Sequence, residues 1–315
     1  MALPAHVRRR LSKGNGGNRK HAMRSAFVQA LIHLAERDDR IVLMTGDLGF
    51  MALEPFADRF PARFFNAGVA EQNMVGMATG LAEGGFIPYV YSITPFITLR
   101  PYEFIRNGPV QHCLPVRIVG IGGGFEYATN GMSHYGLEDV GVMRIQPGLT
   151  VITPADHEQA GAAIRATSEL AGPVYYRLGK DNTMTVPGLG GAFQLGRTQL
   201  VREGEDILII AMGSVAVEAV GAAQILQTHG ISARVELVSS FNPAPVEDLA
   251  RQLTGFQHVL TVEAHYALGG VGSLVCEVVA ERGLSCRVTR CAVGACTDAK
   301  ATRVDDWSSC ELLDL

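Results

Sequence analysis

The residues of this chain best suited to chemistry are a few acids, histidines and aromatics set in segments of small or apolar side chains. Glu71 leads them. It stands near the start of NAGVAEQNMVGMATGLAEGG (Asn66–Gly85), where Met74, Val75, Met77, Ala78, Leu81 and Ala82 recur at helical spacing. The spacing predicts a helix over about Val69–Glu83, with Asn66 able to cap its start and Gly84-Gly85 able to end it. Ala70, Gly76, Ala78, Gly80 and Ala82 keep this helix slim, so a second backbone can approach it closely. An acid in the first turn can merely complement the helix dipole, or it can be a charge placed in a packed interface. Asp47 closes an apolar run, Phe96 lies in TPFITLR, His134 in NGMSHYGLED and His265 in EAHYALGG. By residue type alone these read as a turn or cap acid, a core aromatic, a surface histidine and a buried network histidine.

Six cysteines (Cys113, Cys276, Cys286, Cys291, Cys296, Cys310) are too few for a disulfide scaffold at this length and fit a reducing, cytoplasmic compartment. Cys286, Cys291 and Cys296 repeat every five residues. Zinc knuckles use tighter pairs and need a fourth ligand, so free thiols are expected and no metal site is assigned.

The elements that must hold these groups alternate as strand and helix. A helix near SAFVQALIHLAER precedes the buried run Arg40–Thr45, which ends at Gly46-Asp47, and ligands of open α/β sheets bind outside such strand ends. Further strands are expected at Phe86–Tyr91, Val116–Ile121, Val151–Thr153 and Val174–Arg177. A helix is expected at Arg100–Gly108, and Ser133 can cap the helix after the Asn130-Gly131 turn. Gly120-x-Gly122-x-x-Phe125 fails the dinucleotide fingerprint because its last glycine is missing and no helix opens there. After the Pro187–Gly191 linker the alternation restarts, with strands near 206–212, 233–237, 258–263 and 285–289 and helices near 214–229, 245–253 and 272–282. The architecture is therefore α/β, as two doubly wound domains. The parts are a basic arm 1–20, a first domain 21–186, a linker 187–192 and a second domain 193–315. The tail from Gly294 has no clear periodicity.

With 47% hydrophobic and 18% charged residues, 315 residues suffice for two real cores. A net charge of −4 gives no bulk electrostatic case for nucleic acid or membrane partners. The apolar runs are strand-sized, and the basic arm has no apolar core of a signal peptide.

The run from GDLGF (Gly46–Phe50) through FFNAGVAEQNMVGMATGLA to YSITPFITLRPYEFIRN resembles the pyrimidine-binding domain of the transketolase family. NGMSHYGLEDVGVMR, VITPAD, PVYYRLGKD and VEAHYALGGVGS continue the resemblance in the family's order. It implies a mostly parallel first sheet and a smaller, transketolase C-terminal-like second domain. It also implies thiamine diphosphate as cofactor, whose thiazolium C2 must lose a proton. Glu71 matches the glutamate that bonds pyrimidine N1′ and favours the imino tautomer of the 4′-amino group. Phe96 matches the aromatic stacked on that ring, Asp47 an acid near the thiazolium and donor sugar, and His134 the histidine that bonds donor hydroxyls. Arg24 and Lys180 match basic substrate-binding positions, and Asn130 stands where a sugar-binding aspartate is usual.

The family anchors diphosphate and Mg²⁺ with a GDG motif followed further on by Asn. This sequence has no GDG; Gly46-Asp47-Leu48 is the nearest string. The expectation is the C-terminal subunit of a split transketolase that transfers a two-carbon ketol unit. A separate N-terminal subunit would carry GDG…N and hold most of the diphosphate and Mg²⁺, in an α2β2 assembly. A 2-oxo-acid dehydrogenase β subunit, a deoxyxylulose-phosphate-synthase-like enzyme and a non-catalytic scaffold are the alternatives. The phosphate grip looks thinned: Gly122-Gly123-Gly124 replaces an expected basic side chain, Met51 a usual hydroxyl residue, and Lys180 an arginine. At least one substrate without a terminal phosphate is therefore expected.

Overall fold

The computed structural model describes residues 22–180 and 184–294. The basic arm, Asp181 and the tail with Cys296 and Cys310 lie outside the described residues. The first lobe runs α1 (Met23–Ala35), β1 (Ile41–Thr45), α2 (Glu54–Arg59), β2 (Phe64–Asn66), α3 (Glu71–Glu83) and β3 (Ile87–Ile93). It continues through α4 (Thr94–Leu99), α5 (Tyr102–Ile105), β4 (Arg117–Ile121), α6 (Asp139–Arg144), β5 (Thr150–Ile152), α7 (His157–Thr167) and β6 (Val174–Leu178). The second part holds β7 (Thr198–Arg202), β8 (Ile207–Met212), α8 (Ala216–Thr228), β9 (Ala233–Val238) and β10 (Ser240–Asn242). After these come α9 (Val246–Thr254), β11 (His258–Tyr266), α10 (Val271–Arg282) and β12 (Arg287–Val293).

The first sheet has seven strands in the order β10-β5-β6-β4-β3-β1-β2, parallel except for the antiparallel β10–β5 pair. Strands β1, β3, β4 and β6 are buried along their whole length, which is why they read as largely apolar, with Arg117 and Arg177 as buried charged exceptions. Connections leave β1 and β3 toward opposite edges of the sheet, so the crevice at their carboxyl ends is the topological switch point. In register, Thr45 faces both Asn66 and Tyr91. The segments after β1, β2 and β3 therefore open at one level, and these carry Asp47, Glu71 and Phe96.

The second sheet is ordered β12-β11-β8-β9-β7, parallel except for the edge strand β7. The two lobes share a core: Met143, Leu149 and Tyr175 of the first pack in one cluster with Leu208, Ile210, Phe241, Leu249 and Val271. They also share a sheet, because β10 lies beyond the linker yet pairs with β5. The linker and the residue before it are packed. Val186 and Leu189 are buried, and the Val186 amide donates to Asp156 Oδ2 at 3.0 Å.

Three local expectations are corrected. Helix α3 starts at Glu71, not Val69, behind an Ala70 N-cap with no side-chain capping bond. Asn66 instead accepts the Asp47 and Gly68 amide hydrogens, both at 3.0 Å. The helix expected at 100–108 begins earlier and is broken, because Pro101 has no N–H and clashes with the preceding turn. α4 springs directly from β3, and α5 runs into a wide π turn at Arg106–Val110. Ser133 caps no helix; it lies in a tight turn, Met132–His134, well before α6.

Candidate functional site

Glu71 opens α3 at the carboxyl edge of the first sheet and is 3% exposed. Ser92, at the end of β3 and fully buried, donates its hydroxyl to Glu71 Oε1 at 2.9 Å. Arg100 donates from Nη1 to Glu71 Oε2 at 3.2 Å. The same guanidinium lies over Phe96, with Cζ 3.7 Å from the ring centroid, a cation–π contact. Phe96 and Arg100 are four residues apart in one helical turn, so they share a face.

Phe96 also meets His134 edge-on, with centroids 5.0 Å apart. His134 also faces Tyr127 at 5.7 Å, and Lys180 Nζ sits 4.5 Å above the Tyr127 ring. Glu71, Arg100, Phe96, His134, Tyr127 and Lys180 thus form one connected row from the α3 start to the end of β6. Ser133 Oγ lies 2.9 Å from His134 Nδ1. Partial burial and the nearby positive charges of Arg100 and Lys180 hold the His134 imidazole below its ordinary range, so it is neutral at neutral pH and can accept or donate a hydrogen bond.

The other expected residues lie around this row. Asp47 adopts a left-handed backbone (φ 59°) and accepts from Asn66 Nδ2 at 2.9 Å. Its neighbour Gly46 comes close to Glu71: a Cβ there would lie 3.3 Å from Oε1, close enough to press on the carboxylate. Arg24 follows Met23, whose sulfur receives the Gly179 amide hydrogen at 3.1 Å, so the α1 start sits beside the Lys180 segment. Asn130 ends an exposed turn on the His134 loop, outside the row of rings. His265 is fully buried between the lobes; Nδ1 donates to the Tyr266 carbonyl at 2.8 Å and Nε2 accepts from the Gly141 amide at 3.3 Å.

Sequence reasoning missed Arg100, Ser92 and Tyr127. The i, i+4 spacing of Phe96 and Arg100 was the available signal for the first. The other two depend on a strand register and a loop path that no spacing reveals. The glycine run also gains a different explanation. A Cβ on Gly122 would lie 2.3 Å from Tyr127, on Gly123 2.6 Å from the Arg177 guanidinium, and on Gly124 2.7 Å from the Ala264 methyl. Gly122 and Gly124 also have positive φ. The three glycines let those side chains close in.

Among the described residues no group of three or more His, Cys, Asp or Glu could hold a metal ion, and Cys113, Cys276, Cys286 and Cys291 are unpaired thiols. No helix among them is long and apolar enough to cross a membrane. The Glu71–Phe96 seat does suit an aminopyrimidine. A planar, nitrogen-bearing group already lies across Phe96 with a nitrogen on the Glu71 carboxylate, and a protonated or donor-bearing heterocycle offers the same two contacts.

Residues 19–185 match the family model of the transketolase pyrimidine-binding domain and residues 196–305 that of the transketolase C-terminal domain. The chain belongs to the transketolase family, whose domains imply use of thiamine diphosphate. It is 38% identical to a putative transketolase C-terminal section of Methanocaldococcus jannaschii, over 85% of each chain. It is 36% identical to a 6-deoxy-6-sulfo-D-fructose transketolase subunit of Clostridium sp. (strain MSTE9), over 83% of this chain and 82% of that one. A solved split-gene transketolase, an inactive β4 tetramer, superposes with a TM-score of 0.78 at 36% identity, covering 86% of this chain and 89% of that one. The chain is thus a transketolase-like enzyme subunit of the split kind.

Proposed function

We propose that this chain is the pyrimidine-binding subunit of a two-component transketolase that moves a two-carbon ketol unit between sugar-like substrates. A separate subunit with the GDG…N motif would hold the diphosphate and Mg²⁺, in an α2β2 assembly. The observation that carries the reading is the row Glu71–Arg100–Phe96–His134 at the switch point of the first sheet, in a chain similar over most of its length to a transketolase C-terminal section and a transketolase subunit.

Bound thiamine diphosphate would supply the carbanion chemistry that side chains lack. Glu71 would hold a proton at Oε1 or Oε2 toward pyrimidine N1′, with Ser92 fixing the carboxyl orientation. Phe96 would offer its face to the ring. His134, kept neutral, would bond donor hydroxyls and carry protons at Nε2. Asp47 would border the donor, and Arg24, Asn130 and Lys180 the more distant part of the substrate.

Calorimetric titration of thiamine diphosphate with Mg²⁺ into this chain, alone and mixed with a GDG-bearing subunit, tests the division of labour. Tight binding is expected only for the mixture. Micromolar binding by the chain alone would overturn it.

A further inference from the structure

The loop 122–136, which delivers His134, is tied to the second lobe at several points. Its neck is closed by a reciprocal pair: the Gly124 amide donates to Gly136 O at 2.7 Å and the Gly136 amide to Gly124 O at 2.9 Å. Arg177 on β6, 6% exposed, holds that neck from below. Its Nη2 donates to Gly136 O at 2.9 Å and to Ala264 O of β11 at 2.8 Å. Its Nε pairs with Asp139 Oδ2 at 3.0 Å, and Asp139 also accepts from Tyr175. Gly123 and Gly124 lack side chains where the Arg177 guanidinium and Ala264 press in. Just beyond, the Tyr266 amide donates to Leu137 O at 2.7 Å.

A second tie lies on the arm of the loop. Glu126 accepts at Oε1 from Ser214 Oγ of the second lobe at 3.1 Å and at Oε2 from the Lys180 amide. Tyr127 follows directly, and its ring fills the space over Gly122 while facing both His134 and Lys180. The residue that shapes the space beside His134 is therefore adjacent to one gripped from the other lobe.

We propose that Glu126 and Ser214 form an interdomain latch, and that the second lobe uses it to set the placement of Tyr127 and His134 for substrate recognition. Glu126, Ser214 and Arg177 are positioning residues, acting through the loop. The proposal rests on the substrate role given to His134 under the proposed function. A charge-assisted hydrogen bond of this kind is worth enough for its loss to let the loop drift, and small misplacements of a binding group are costly in rate.

The test is Ser214→Ala, with Ser214→Thr as the variant that keeps the hydroxyl. In the isolated full chain, the His134 ring-proton NMR titration of Ser214→Ala should move up toward the ordinary imidazole value as the ring loosens from its neighbours, and Ser214→Thr should restore it. In the holoenzyme, kcat/KM for a ketose donor should fall about tenfold, with deuterium exchange at the cofactor C2 unchanged, because that depends on Glu71. Adding Ser214→Ala to His134→Ala should cost clearly less than it does in wild type. An unmoved titration overturns the latch whether or not the holoenzyme is active. So does an unaltered kcat/KM, a parallel fall in C2 exchange, or additive losses in the double variant. A wild-type holoenzyme without ketol transfer overturns the proposed function instead, and the titration still decides the latch.

Discussion

Removing the Glu71 carboxylate separates chemistry from folding, and the structure sets the size of each effect. From sequence, removing an interface acid leaves no unpaired partner charge, so folding should survive its loss. The structure corrects the premise: Arg100 and Ser92 both bond it. Arg100 is 45% exposed at its side chain, so an abandoned guanidinium can rehydrate and keep its stack on Phe96. Losing that pair costs about 0–1 kcal/mol. Ser92 is fully buried, and in Glu71→Ala its hydroxyl loses its acceptor, at a cost of about 1–3 kcal/mol. Glu71→Gln keeps an amide oxygen for Ser92 and avoids that cost. Glu71→Ala should therefore unfold in urea at lower stability than Glu71→Gln by about 1–3 kcal/mol, the latter staying within about 1 kcal/mol of wild type. Both should lower turnover of the holoenzyme by roughly 10²–10⁴ as a lost acid–base group. The assay is deuterium exchange at C2 of bound thiamine diphosphate. Wild-type exchange in Glu71→Gln refutes the N1′ role, and equal stability of the two variants refutes the assignment of Ser92.

Burial pushes Glu263 up to about 7, against the pull of the Gly272 and Val271 amides on its oxygens. With the folded value above the ordinary carboxyl value of 4.5, its contribution is fully present below 4.5 and lost as pH rises through about 7. Wild type should thus lose about 3 kcal/mol across that window that Glu263→Gln does not; a gap between their urea midpoints that is constant from pH 5 to 8 would contradict this. For substrates, kcat/KM for unphosphorylated ketoses should come within about 100-fold of xylulose 5-phosphate, since each charged contact missing from the phosphate grip, as where Lys180 offers a point charge in place of a fork, removes ~1.5–3 kcal/mol of preference for the phosphate. A preference of several further orders for the phosphate sinks that idea. Light scattering of the assembled enzyme should give two copies of each subunit, and a 1:1 complex under assay conditions would count against the α2β2 arrangement.

What the sequence made legible follows burial. Strands closed in on both faces, such as Ile41–Thr45, are near-continuous apolar runs. The strands it concealed are edge strands: β2, three residues and half open; β7, alternating; and β10, whose partner lies far back in the chain. Their pairing is fixed by tertiary register, which composition does not encode. In the candidate site, Glu71, Phe96 and His134 were legible only through an ordered set of motifs. The glycines at 122–124 looked like a missing grip because a sequence displays what a residue lacks, not what presses against it.

Strand β10 bears on where this polypeptide could be divided. Cut at 187–192, the first lobe would bare one side of β5, a row of amides and carbonyls open to pairing with any passing strand. The hydrophobic cluster that runs from Met143 to Val271 would be torn through as well. The seam visible in composition is thus no seam in the solid. Separating the two lobes from each other would trade one stable body for two sticky ones.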